Sequence, residues 1–102
     1  MFGLSAKDLE EVKSILKSKL PPNSFVWVFG SRARGDHKKY SDLDMLISGE
    51  VDQKTWADLV GMFEESFLPI KVDLVLDSEF AESYRVNFEK EKILLKIDKA
   101  NV

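Results

Sequence analysis

Two aspartates one residue apart, Asp42 and Asp44 in "SDLD", follow a stretch, "FGSRARGD", that carries two glycines, a serine and two arginines. Residues two apart in a strand point to the same side, so the two carboxylates project together. Like charges so close repel unless a cation joins them. Mg²⁺ suits such hard oxygen donors, because it takes few protein ligands and completes its shell with water and phosphate oxygens. A third acid, Asp73, interrupts the apolar run "IKVDLVLD" and adds a ligand if its strand lies beside the first.

The stretch before the aspartates supplies a complementary chemistry. A strand ending at Gly30 and a helix starting near Ser31 leave backbone N–H groups unpaired, and glycine permits the close approach that phosphate oxygens need. Ser31 adds a hydroxyl donor, and Arg32, Arg34, Lys38 and Lys39 make this the most basic part of an acidic chain. Phosphoryl and nucleotidyl transfer require this combination: donors that position a triphosphate, and metals that stabilise the attacking and leaving oxygens. In a two-metal site Asp42 and Asp44 would ligate both ions. Asp73 would bind the ion near the attacking hydroxyl and help remove its proton.

Two better-known phosphate motifs are excluded. Gly30 and Gly35 have the separation of P-loop glycines, but Asp36 and His37 stand where that motif requires Lys and Ser or Thr. No GxGxxG fingerprint is present either. Taken singly, each feature has a plainer reading: a turn with solvated arginines, a strand start capped by Ser41 and Asp42, an edge-strand charge at Asp73. A metal and nucleotide site accounts for all three at once. His37 is assigned no role.

The elements that must position these residues are legible from periodicity. Ser5 caps a first helix with Asp8 at the capping-box position and Leu4 and Leu9 as a hydrophobic staple; Leu9, Val12, Leu16 and Leu20 recur at helical intervals until Pro21 and Pro22 end it. "SFVWVF" reads as a strand buried on both faces, and "SDLDMLIS" as a second strand beginning at the aspartates. Trp56, Leu59, Val60, Phe63 and Phe67 form one helical stripe after Asp52, a plausible cap, with Pro69 as terminator. In "IKVDLVLD", Ile70, Val72, Leu74 and Leu76 share one strand face and Asp73 the other. Phe80, Tyr84 and Phe88, four apart, predict a second helical stripe capped by Ser78 or Asp77; left uncovered, they would form a patch for a partner protein. "KILLKI" ends the pattern as a short strand. The alternation points to one α/β unit over residues 1–102.

Composition bounds the function. A formal charge of −3 gives no general pull toward nucleic acid. The chain has no cysteine, which removes thiol nucleophiles, disulfides and Cys-rich zinc sites and fits a reducing compartment. Neither a signal peptide nor an apolar run of membrane-spanning length is present, so the expectation is a cytoplasmic protein without membrane association.

The combination "GSRARGDHKKYSDLD" with the later "KVDLVL" resembles the DNA polymerase β-type nucleotidyltransferases, and within them the minimal nucleotidyltransferase, or MNT, branch. "FEKEKILLKI" is similar to the helix and strand that end this branch, so the resemblance spans nearly the whole chain. It implies the α+β polymerase β-type fold, a small mixed sheet flanked by helices. It implies a nucleotide site at Gly30 and Ser31, with Arg32 and Arg34 beside them, and catalytic Mg²⁺ held by Asp42, Asp44 and Asp73. The expected substrate is ATP or another nucleoside triphosphate. Members of this branch are paired with a small all-helical HEPN protein, often as antitoxin and toxin, and some transfer AMP to that toxin's tyrosine, so a homo- or hetero-oligomer is expected. A catalytically silent subunit that neutralises a helical partner by binding is the rival expectation. Transfer to a small molecule or a nucleic acid is a further one, and an acidic chain disfavours it.

Overall fold

A computed structural model describes residues 1–97; the 98–102 end of the expected domain lies outside the described residues. The order is α1 (Ala6–Lys19), β1 (Phe25–Phe29), α2 (Ser31–Arg34), β2 (Leu43–Ser48), α3 (Gln53–Glu64), β3 (Val72–Leu76), two single 3₁₀ turns (Asp77–Glu79 and Glu82–Tyr84), α4 (Arg85–Glu91) and β4 (Ile93–Leu95). The strands form one mixed sheet ordered β3-β2-β1-β4: β1 pairs antiparallel with β2 and β4, and β2 pairs parallel with β3.

Local chemistry accounts for the helix ends. The Ser5 hydroxyl accepts the Asp8 N–H at 3.0 Å, and the Asp52 carboxylate accepts the Thr55 N–H at 2.7 Å, each satisfying a donor that the first helical turn leaves free. Pro21 follows α1 as expected.

Both long helices pack on the same face of the sheet. Val12 and Leu16 of α1 and Leu59 and Phe63 of α3 meet Val26, Val28, Leu43, Met45 and Ile47 there, with Val72 and Leu74 packed at the margin. β1 is therefore not buried on both faces, contrary to its apolar run. Val26 and Val28 are buried, whereas Phe25 is 56% exposed and Trp27 and Phe29 are half-covered, because no long helix lies over the second face.

Two helical expectations are corrected. The α3 stripe does not extend to Phe67: the helix ends at Glu64, well before Pro69, and Phe67 is 98% exposed. Phe80, Tyr84 and Phe88 do not share one helix either. Phe80 is extended backbone between the 3₁₀ turns, and α4 begins only at Arg85, with no side-chain cap. Instead of capping a helix, Asp77 binds Arg85, which donates to its carbonyl at 2.7 Å and pairs with its carboxylate at 2.6 Å. That clamp folds the segment back across the sheet's second face.

Candidate active site

β2 carries Leu43, Met45 and Ile47 into the core, so its alternate residues, Asp44 among them, face the other way. Asp44 is opposite Phe29 of β1 on one side and Asp73 of β3 on the other. The two carboxylates expected on separate strands are thus lateral neighbours on the second face. β2 begins at Leu43 rather than at the first aspartate, so Asp42 stands just outside the strand, half-buried.

Gly30 makes the close packing here possible. Its φ of 76° and ψ of −160° belong to a region that only glycine occupies without strain, and a Cβ on it would lie 2.5 Å from Asp44 Oδ2. The space of a missing side chain is therefore filled by a carboxylate. Ser31 opens α2, half-buried, and its carbonyl accepts the Gly35 N–H at 2.9 Å and the Asp36 N–H at 3.2 Å to close the loop.

The two arginines, equivalent in the sequence, separate in the structure. Arg32 is buried, with only 3% of its surface exposed, and donates to the carbonyls of Phe2 (2.9 Å), Lys39 (3.1 Å) and Ser41 (2.9 Å). It clamps the loop to the N-terminus, away from the cavity wall. Arg34 is exposed and donates to Asp36 at 3.1 Å and to Glu91 at 2.9 Å.

Glu91 was not singled out by the sequence, where it is one acid in the alternating run "EKEK". Its Oε2 also accepts the Gly30 N–H at 2.7 Å, and its side chain is only 13% exposed. The last turn of α4 is thereby tied to the glycine turn. No spacing rule reaches across such a separation; only the chain's return over the second face creates the contact.

Gly30, Arg34, Asp44, Asp73 and Glu91 line one end of a cavity of about 570 Å³, within the range of small-molecule sites. Ser31, Arg32 and Asp42 are not on its wall. Phe29, Phe80, Tyr84 and Phe88 line much of the rest, beside Leu74, Val75, Glu79, Ala81 and Asn87; of the three aromatic residues that would form a patch if uncovered, Phe88 is buried, Phe80 half-covered and Tyr84 exposed.

Burial, followed by the charges of Asp73, Asp42 and Glu91, pushes the Asp44 carboxyl up to about 6, with Arg34 opposing. Acids outnumber cations on this wall, with Asp44, Asp73, Glu79 and Glu91 facing Arg34. Among the described residues, no three His, Cys, Asp or Glu side chains stand close enough together to hold an ion as they are. The donor set itself, hard oxygens on adjacent strands in a field that resists ionisation, nevertheless fits a small divalent cation.

A glycine turn leading into a short helix, paired carboxylates across β2 and β3, and a sheet ordered β3-β2-β1-β4 define a nucleotidyltransferase. Residues 9–96 match the nucleotidyltransferase domain family, and the chain belongs to it, in the MNT branch. It is 38% identical over 96 residues to the probable protein adenylyltransferase MntA of Haemophilus influenzae, covering 92% of this chain and 83% of that one. Its fold is shared with a toxin–antitoxin crystallised with AMP-PNP (TM-score 0.68, 19% identity, 91% of this chain and 76% of that one). It is also shared with the complex of a tri-AMPylated Shewanella oneidensis HEPN toxin and its MNT antitoxin (TM-score 0.62, 18% identity, 93% and 74%). Among the described residues no helix is long and apolar enough to cross a membrane.

Proposed function

We propose that this protein transfers AMP from ATP to a hydroxyl group of a HEPN partner protein and so acts as the antitoxin of a toxin–antitoxin pair in the cytoplasm. The observation that carries this reading is the register of Asp44 with Asp73 on the wall of a cavity that also holds Gly30 and Arg34. The similarity to MntA supports the choice of a protein acceptor.

Gly30 and Ser31 bind the β- and γ-phosphates, and Arg34, the cation left at the cavity, orients them. Asp42, Asp44 and Asp73 would hold Mg²⁺, two ions in a complete site; when bound, the metal neutralises the triphosphate's charge and favours departure of pyrophosphate. The acceptor oxygen attacks the α-phosphorus, forming one P–O bond as the bond to the bridging oxygen breaks. Asp73, on the exposed edge strand, takes the hydroxyl proton.

Incubation with labelled ATP, Mg²⁺ and a candidate HEPN partner protein is expected to label that partner. Asp42→Ala and Asp44→Ala should each abolish the label. An unlabelled partner that is nevertheless silenced in a stable complex, with both aspartates replaced, would show that neutralisation occurs by binding alone.

A further inference from the structure

Beyond its charged end, the cavity runs onto an aromatic wall that phosphoryl transfer does not use. Phe29, Phe80 and Phe88 pack on one another, Phe29 edge-on to both others at 5.4 Å between centroids, and Phe80 with Phe88 at 5.3 Å. The Arg85 guanidinium, fixed by Asp77, lies 5.2 Å from the Phe80 centroid and 5.9 Å from that of Phe88. Tyr84 leans on Phe80 at 6.1 Å with its ring tilted by 46°, and remains 63% exposed on the cavity wall.

We propose that Tyr84 is the platform on which the purine base of the nucleotide stacks. This deepens the nucleotide reading above and rests on it. A triphosphate seated at Gly30 and Arg34 leaves its base to the remainder of the same cavity, where four aromatic rings share the wall with Leu74, Val75, Ala81, Glu79 and Asn87. The exposed ring is backed by a packed cluster, so little conformational freedom is lost when a flat ligand lies on it. Asn87, three residues beyond Tyr84 and on the same cavity wall, supplies an amide donor and acceptor, which suit the polar edge of a purine and not an aliphatic side chain of a partner.

Binding of two probes, ATP and inorganic tripolyphosphate, each with Mg²⁺, should be measured by calorimetry on the wild type and on Tyr84→Phe, Tyr84→Leu and Tyr84→Ala. Loss of base stacking is expected to weaken ATP about tenfold in the Leu and Ala variants while tripolyphosphate binds as before. Tyr84→Phe keeps the ring and should bind ATP within about twofold of wild type. Tyr84→Leu retains apolar cover on Phe80, so its agreement with Tyr84→Ala separates stacking from folding. Undiminished ATP affinity in the Leu and Ala variants would overturn the platform and leave the nucleotide site standing, as would equal losses of both probes, which would mark a structural role. Silence of the wild type toward both probes would overturn the nucleotide reading together with this one.

Discussion

Asp44 and Asp73 are register partners across the parallel β2–β3 pair, and both project from the sheet face opposite the long helices. A sheet that places like charges side by side sacrifices stability for a site. With an ordinary carboxylate value in the unfolded chain and about 6 in the folded one, Asp44 binds its proton more tightly when folded. Stability is accordingly greatest below the unfolded value, falls as pH rises through about 6, and is flat above. Asp44→Asn should therefore raise the thermal midpoint at about pH 7.5, by on the order of 1 kcal/mol once solvent screening of a half-buried group is allowed for, and the gain should shrink toward pH 4. Melting curves across that range decide it. An equal gain at both ends would point to a cause other than ionisation.

Gly30→Ala tests the space that Asp44 occupies. The strained φ/ψ alone should cost about 1–3 kcal/mol, and the added methyl group must displace the carboxylate. Denaturant unfolding should show the loss, and labelling of the partner should fall further than stability does. Wild-type labelling in this variant would remove Gly30 from the site.

Arg32 and Arg34 should separate stability from affinity. Arg32→Ala strips three buried or half-buried carbonyls of their donor and should destabilise by about 3 kcal/mol, and Arg32→Lys should not restore it, since an ammonium cannot reproduce the fork. Arg34→Ala should leave the melting temperature nearly unchanged while raising the KM for ATP. A pair of variants with the opposite pattern would reverse these assignments.

Phe63 and Phe67 look alike on a helical wheel and differ in cost. Phe63→Ala should lose about 3–5 kcal/mol, the range for emptying a packed core site, whereas Phe67→Ser should stay within about 0.5 kcal/mol of wild type. Chemical denaturation of both variants measures the contrast. A large loss at Phe67 would mean that α3 continues beyond Glu64.

Much of this molecule follows from short-range chemistry, which the sequence states directly. Ser5 and Asp52 cap helices because their side chains reach donors three residues away, Pro21 stops α1, and Val72 and Leu74 share a face because a strand alternates. The glycine turn and the spacing to Asp42 and Asp44 are equally local, which is why the family pattern can be read there. What no local rule contained was the distribution of cover over the sheet. Once α1 and α3 both lie on one face, Phe25 is left outside, Phe80 and Phe88 become a wall, and Tyr84 opens onto the cavity. Arg32 turns inward and Arg34 outward because the N-terminal segment brings the Phe2 carbonyl to only one of them. Glu91 reaches Gly30 because Arg85 anchors to Asp77 and folds the chain back over the second face. The sequence by itself determined the local elements and the family pattern; strand order and the sidedness of helix packing, both products of distant contacts, decided which residues meet.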